Sequence, residues 1–428
     1  MERVLISELG HWMGKDVVLK GWVHRLRYLS NVVFLILRDR TGEIQVVIDP
    51  KLLHSLSLST ESVVEVRGVV TPEPRARAGY EVAAQHIKVL SRAAAELPLT
   101  INGPSLDASL ETILDNRTLS LRHEKVHPIF KIQAALVHGF QKFLNKKGFV
   151  QVFTPKIVKS GTEGGTELFS VQYFQEKAYL AQSPQFYKQM MVGAGYERVY
   201  EVGHVYRAER HATSRHLNEY ISLDLEVAFI DSEEDLMELE NELLDSMFSY
   251  VAQHCSNELK TLGVVLPTVP QIPRIPLKTA SKILAEVYSK TDLNGDLDPE
   301  GERLLCQYIK ETRGSDFVFI TSYPWEKRPM YTMPKENGLT GSFDLLFRGL
   351  EITTGGQRIH DYAQLRDNMI KKGLNPIHFE DYLVNFKQGM PPHGGLAIGL
   401  ERLTAQMLGL KNVREASLFP RDRHRLTP

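Results

Sequence analysis

Val205-Tyr206-Arg207-Ala208-Glu209-Arg210-His211-Ala212-Thr213-Ser214-Arg215-His216-Leu217-Asn218-Glu219-Tyr220-Ile221-Ser222-Leu223-Asp224-Leu225-Glu226 sets a dense run of charge between two apolar, strand-like stretches. Its ends read as strands and its middle as a turn, so a hairpin is expected. Such a hairpin can hold a polyphosphate. Arg207, Arg215 and His216 would neutralise phosphate oxygens, Glu209 would accept from an exocyclic amine, and Tyr220 would lie against a purine. A solvated charged hairpin would carry the same residue types, so the segment alone leaves both readings open. A metal site on His204, His211 and His216 is disfavoured, because magnesium prefers oxygen ligands and no cysteine joins the set.

Downstream lies Gly341-Ser342-Phe343-Asp344-Leu345-Leu346-Phe347-Arg348-Gly349-Leu350-Glu351-Ile352-Thr353-Thr354-Gly355-Gly356-Gln357-Arg358. Asp344 and Glu351 are oxygen donors on strand-like flanks that a sheet can bring together around magnesium. Parity along one undistorted strand would put them on opposite faces, so Gly349 or a bend has to intervene. The Gly355-Gly356 pair lets a ligand approach the backbone near Arg358. A third constellation, Gly394-Gly395-Leu396-Ala397-Ile398-Gly399-Leu400-Glu401-Arg402, reads as a glycine-rich strand entering a helix. There Arg402 falls in the first turn, where the helix dipole favours an anion. There is no Walker A pattern.

Upstream, Ile129, Ile132, Leu136, Phe140 and Phe143 follow helical spacing from Pro128, and Gly148 is a suitable stop. Residues 149–153 read as a strand that ends at Pro155. Ser232-Glu233-Glu234-Asp235 caps an acidic helix with Leu236, Leu239, Leu243 and Met247 on one face. Near the start, residues 17–25, 32–38, 44–49 and 62–70 are short β-rich runs, which predicts a small all-β barrel. Arg25, Arg27, Phe34 and Gln45 on neighbouring strands would supply phosphate partners, a stacking ring and a base-edge reader. A packed Phe34 with solvated arginines is the plainer alternative. From Ala93 to Arg122 the pattern loses strand character and reads as a hinge.

The 428 residues carry 51 Lys plus Arg against 52 Asp plus Glu, a formal charge of −1, and 43% hydrophobic residues. That composition excludes disordered and collagen-like classes, and it forbids an argument from global basicity. Two cysteines, Cys255 and Cys306, are too few for a disulfide framework. No apolar run reaches the roughly 18–20 residues of a bilayer span, and no signal segment opens the chain, so a cytoplasmic protein without a membrane partner is expected.

Together these residues resemble the three signature motifs of class II aminoacyl-tRNA synthetases, and the chain is similar over nearly its full length to aspartyl-tRNA synthetases of the compact archaeal type. Motif 1 matches the helix from Pro128 with the strand ending at Pro155, motif 2 the 207–226 hairpin, and motif 3 residues 395–402. The resemblance implies an α+β catalytic domain on an antiparallel β-sheet over 128–428, a hinge over 96–127, and an N-terminal OB-fold anticodon-binding barrel over 1–95. It implies a homodimer formed through motif 1. Position by position, it assigns Arg207 to the α-phosphate of ATP, Glu209 and Tyr220 to adenine, and His216 and Arg402 to the γ-phosphate end. Asp344, Glu351 and Thr354 match magnesium positions, Thr354 standing where relatives often have serine. Glu167, in a flap over 160–167, would meet the amino acid's ammonium, Gln185 would orient the substrate, and Lys188 would meet its side chain.

The implied reaction is ATP-dependent adenylate formation followed by transfer to the tRNA 3′ end. Asparaginyl-tRNA synthetases share the architecture, so the side-chain pocket has to choose. Lys188 beside Arg358 favours a carboxylate, since an amide nitrogen there would leave donors facing donors. Asp224 is expected to anchor both cations. L-Aspartate is therefore the expected substrate, with asparagine as the alternative. His24 after Gly21-Trp22-Val23, together with Pro74 in Thr71-Pro72-Glu73-Pro74-Arg75, resembles relatives that charge both tRNA(Asp) and tRNA(Asn). Asp-tRNA(Asn) would then require a separate amidotransferase. A tRNA-independent aspartate-activating ligase or a regulatory paralogue is the competing class; the barrel argues against the first, and the joint presence of Arg207, Glu351, Arg358 and Arg402 against the second.

Overall fold

The computed structural model describes residues 2–53, 58–94, 96–161, 168–211 and 213–428. The chain divides into two compact units, Met1–His123 and Glu124–Pro428.

In the first unit, β1 (Asp16–Tyr28), β2 (Val33–Asp39), β3 (Gly42–Ile48), β4 (Val63–Pro72) and β5 (Tyr80–Ser91) close into a barrel in the order β1-β2-β3-β5-β4. Alternation drives it: Val33, Leu35 and Leu37 face the interior while Phe34, Ile36 and Arg38 face outward. The strand β5 is absent from the sequence expectation. Its centre, Ala83-Ala84-Gln85-His86, breaks the alternation where β4 and β5 shift register beside Gly68. The stretch expected as a hinge holds two short helices, α1 (Leu110–Asp115), capped by Ser109, and α2 (Arg117–Ser120).

The second unit opens with α3 (His127–Lys146), whose Pro128 sits in the first turn as expected. The following strand, β6 (Val150–Gln151), is shorter than the sequence implied. Next come β7 (Ile157–Val158), β8 (Ser170–Tyr173), β9 (Glu176–Leu180), α4 (Gln185–Met191), β10 (Arg198–Tyr206) and β11 (Glu219–Ala228). Then α5 (Glu233–His254), α6 (Ser256–Leu262), β12 (Arg274–Pro276), α7 (Leu277–Tyr288), α8 (Pro299–Arg313) and β13 (Phe317–Thr321) lead to β14 (Ser342–Phe347) and β15 (Leu350–Arg358). The last elements are α9 (Tyr362–Lys371), α10 (Glu380–Lys387), β16 (His393–Gly399) and α11 (Leu400–Leu408). Ser232 caps α5 in a capping box with Asp235.

Among the described residues, eight strands form one sheet in the order β12-β13-β14-β15-β16-β11-β10-β6. Its six central strands are antiparallel, and a parallel pairing closes each edge. On one face lie α3, α5 and α11, with Leu136, Phe140, Leu243, Met247, Leu403 and Met407 packed against Leu223, Leu345 and Ile398. On the other face, α7 and α8 cover Val318, Ile320 and Leu346 at one end. Towards the other end of that face, α4, α9 and α10 bring Phe186, Met369, Tyr382 and Phe386 against Val199 and Ala228, and the cleft opens over Tyr220, Ser222, Thr354 and Ala397.

Candidate active site

Register alone assembles the floor of the cleft. Across the sheet, Asp344, Thr354, Ala397, Asp224 and Glu201 stand directly opposite one another in successive strands. Directly opposed residues share a face, so all five point the same way. The small residues Gly395 and Ala397 keep this floor low. A Cβ at Gly395 would collide with the Glu226 carboxylate and the Leu225 carbonyl.

Asp344 and Glu351 share the cleft face because a two-residue turn, Arg348-Gly349, with φ of 47° and 88°, reverses the chain between them. Parity along a single strand therefore does not apply. A β-bulge then shifts the register, so that Leu345 faces Thr353 while Leu346 faces Glu351. The extra residue, Ile352, turns Thr354 to the same side as Glu351, and the Thr354 hydroxyl donates to Glu351 Oε1 at 3.1 Å.

One cleft of about 770 Å³, its open mouth included, is lined by Arg207, Glu209, Arg215, His216, Tyr220, Glu351, Thr354 and Arg402. All but Thr354, which is expected at magnesium and the amino acid, are residues expected at the nucleotide, and they arrive from the β10–β11 hairpin, β15 and the start of α11. Arg207 Cζ lies 5.9 Å from the centre of the half-buried Tyr220 ring. Asn218 fixes the hairpin, donating to the Arg207 carbonyl at 2.8 Å. Arg402 donates to the carbonyls of Glu351 at 3.0 Å and Arg215 at 3.3 Å. His216 Nδ1 and the Thr213 hydroxyl are 2.7 Å apart.

Asp344 is buried below this row. Its Oδ2 accepts from Arg328 at 2.7 Å, and the buried Tyr323 phenol lies against the same carboxylate. Glu351 and Thr354 bring hard oxygens of the type magnesium takes to the cleft, and Asp344, opposite Thr354 in the sheet, is a third oxygen donor of that type.

The amino-acid end is a buried charge cluster. Lys188, only 2% exposed, donates to Asp224 Oδ1 at 2.9 Å and to the Leu225 and Leu396 carbonyls at 3.3 Å. Glu226, with no exposed surface, lies between the two cations: Oε2 is 3.3 Å from Lys188 Nζ, and Oε1 accepts from Arg358 Nε at 3.0 Å. Burial works to raise the Glu226 carboxyl, but Arg358 and Lys188 hold it below its ordinary value. Arg358 also donates to the Gly395 carbonyl and to Gln185 Oε1. Asp224 meets Lys188 as expected, and beside it a second acid, Glu226, meets both cations. Glu226 was missed although Ser222, Asp224 and Glu226 follow the period of two that puts them on one face of β11.

Behind this cluster, Gln185 donates to Gln189, and Gln189 meets Nε2 of His393 at 2.8 Å. Burial pushes His393 down to about 4, so it stays neutral at pH 7. Two further acids were not anticipated. Glu401 receives the Ile221 amide on both oxygens, and burial pushes its carboxyl up to about 8. Glu302, from α8, pairs with Arg215. Glu167 and most of the expected flap lie outside the described residues.

In the barrel, Arg27 stands opposite Phe34, and Ile36 opposite both Arg25 and Gln45, all on the outer face. Phe34 is therefore not an interior residue. Gln45 donates to Glu81 at 2.7 Å. His24 is the extra residue of a bulge in β1 and is buried, with Nδ1 2.9 Å from Arg38 Nη1 and Nε2 3.4 Å from Glu43. Pro74 is exposed in the β4–β5 turn.

A family model described as "tRNA synthetases class II (D, K and N)" matches residues 109–423, and an OB-fold nucleic acid binding domain model matches residues 17–90. The chain belongs to the class II tRNA synthetases. It is 51% identical to the "Aspartate--tRNA(Asp/Asn) ligase" of Thermus thermophilus over 100% of both chains. It is 50% identical to the protein of the same name from Deinococcus radiodurans, over 100% of this chain and 99% of the relative. Among solved structures, the asparaginyl-tRNA synthetase of Pyrococcus horikoshii complexed with asparaginyl-adenylate superposes with a TM-score of 0.93, at 32% identity and 100% coverage of both chains. This synthetase is thus an aminoacyl-tRNA ligase of protein biosynthesis. Its family uses ATP as a substrate, with magnesium. Among the described residues no helix is long and apolar enough to cross a membrane.

Proposed function

We propose that this synthetase activates L-aspartate with ATP and transfers it to tRNA(Asp) and tRNA(Asn). The observation that carries the choice of amino acid is the pair of buried cations, Lys188 and Arg358, on opposite oxygens of Glu226. Lys188 is fixed by Asp224, Glu226 and two sheet carbonyls, and Arg358 by Glu226, so on this reading the ligand's side-chain carboxylate meets two cations already held in place, the Arg358 guanidinium presenting the donors. A carboxylate is drawn to such a site; an amide adds donors where donors already stand, a mismatch of about 1–3 kcal/mol. Two full-length relatives near 50% identity, named aspartate ligases, support the same choice.

In the reaction, the α-carboxylate of aspartate attacks the α-phosphorus of ATP in line, and pyrophosphate leaves. No protein nucleophile is needed, so positioning and charge neutralisation are the protein's part. Arg207 faces the α-phosphate, Tyr220 and Glu209 receive adenine, and His216 and Arg402 meet the γ-phosphate end. Glu351, Thr354 and Asp344 would hold magnesium, which neutralises phosphate charge when bound. The tRNA 3′-terminal hydroxyl then attacks the aspartyl carbonyl and AMP leaves.

The barrel is read as the anticodon reader, with Arg27, Phe34 and Gln45 on one face. His24 and Pro74 support use of both tRNAs, as do the printed names of the two relatives, and Asp-tRNA(Asn) so formed requires a separate amidotransferase. A homodimer is supported by the edge strand β6, beside which Phe153 is 82% exposed. Cytoplasmic location accords with this substrate set. ATP–pyrophosphate exchange run separately with aspartate and asparagine, then aminoacylation of tRNA(Asp) and tRNA(Asn) transcripts side by side, tests the reading. Exchange driven only by asparagine overturns it.

A further inference from the structure

The helix α8 lies outside all three signature motifs, yet one of its side chains reaches the nucleotide end of the cleft. Glu302 sits in the first turn of α8 and is 7% exposed. Its Oε2 accepts twice: from Arg215 Nη2 in the β10–β11 hairpin, and from the Glu351 amide in β15 at 3.0 Å. Arg402 bridges the same two residues from the motif 3 helix, donating to their carbonyls. Residues 215 and 351, more than a hundred positions apart in sequence, are thus held to each other twice, once by an acid and once by a guanidinium. Arg215 Nε is buried and has no acceptor among the described residues, although the side chain lines the cleft.

We propose that Glu302 is a positioning residue for ATP: its carboxylate holds the Arg215 guanidinium and the Glu351 amide at a fixed separation, setting the width of the cleft where the nucleotide's phosphates lie. The inference rests on the activation reaction proposed above. Arg402 meets residue 215 at its backbone carbonyl, so it does not orient the Arg215 side chain. That orientation comes from Glu302. A guanidinium pre-set against a buried carboxylate loses less freedom when a phosphate arrives than one ordered only on binding.

The test is aspartate-dependent ATP–pyrophosphate exchange on the full-length protein carrying Glu302→Gln, Glu302→Asp, Arg215→Met, or Glu302→Gln with Arg215→Met. Glu302→Gln keeps the shape and one acceptor but removes the charge that orients Arg215. The expected result is a fall in kcat/KM for ATP of about 10- to 100-fold, with KM for aspartate within about twofold of wild type. The double variant should be no worse than the poorer single variant, because both break one contact. Glu302→Asp should recover part of the loss, as a purely structural role would not require. Should Glu302→Gln fail to fold, Glu302→Asp, which keeps the charge but withdraws it from Arg215, must show the same split between the two substrates in smaller degree, and an unchanged kcat/KM for ATP in that variant overturns the proposal. Additive losses, an unchanged kcat/KM for ATP, or an equal rise in KM for aspartate overturn the proposal. Wild-type exchange that does not depend on aspartate overturns the functional reading and this inference with it; aspartate-dependent wild-type exchange beside an unaffected Glu302→Gln overturns the inference alone.

Discussion

On the proposed reading, recognition and packing fall on the same side chain at Lys188. Its ammonium is held by Asp224 and Glu226 within the sheet floor, so removing it leaves two buried carboxylates short of a cation. Breaking a buried pair from one side costs about 3–5 kcal/mol. Lys188→Ala is therefore expected to lose stability of that order in denaturant unfolding and also to raise KM for aspartate far more than KM for ATP. Adding Asp224→Asn should restore part of the stability without restoring aspartate affinity. A double variant with normal aspartate KM would remove Lys188 from recognition. The lysine, the arginine and one of the acids were legible from motif resemblance. Glu226 has no place in the sequence expectation, although strand alternation points residues 222, 224 and 226 of β11 one way. The sharing of Glu226 between the two cations required the register between β11, β16 and β15, which no stretch of sequence states.

At the scale of elements, the β14–β15 hairpin decides where the phosphate-side oxygens fall, and its bulge was unreadable because an extra residue leaves no compositional mark. Glu302 was hidden for a related reason: a glutamate near a helix start is ordinary dipole chemistry. The helix α5 offers a test of how this hairpin is supported. Its Glu240 is buried without exposed surface beneath Thr353, and burial pushes its carboxyl up to about 8 from an ordinary 4.5. A group that binds its proton more tightly when folded leaves stability unchanged below the unfolded value. As pH rises from 4.5 towards 8 the unfolded chain ionises first, and stability falls. Glu240→Gln should therefore leave Tm nearly unchanged at pH 5 and raise it at pH 8, by about 2–4 °C for each kcal/mol relieved. An equal Tm difference at both pH values would contradict this account of the buried acid.

At the scale of the whole molecule, the division into two compact units separates two kinds of chemistry. Each unit has its own core: in the first, Leu35, Val46, Val64 and Val66 are enclosed by the barrel itself, whereas in the second helices pack on a sheet. Amino-acid activation needs no tRNA, so changes on the outer face of the barrel should act on charging and leave aspartate-dependent exchange intact. Phe34 and Arg27 are the sharpest pair to alter, because they stand opposite one another and the proposed reading gives them different tasks. A ring stacked on a base contributes about 1–3 kcal/mol, so Phe34→Ala should raise KM for tRNA about 5- to 150-fold with little change in salt dependence. If Arg27 meets phosphate as a charge, as proposed, Arg27→Ala should reduce the slope of log affinity against log salt by about one contact's worth while weakening tRNA(Asp) and tRNA(Asn) alike. Charging kinetics at several salt concentrations, with exchange measured on the same preparations, distinguishes the two. If both variants shift the salt slope equally, Phe34 is not stacking; if either lowers exchange as much as charging, the barrel is not acting through tRNA.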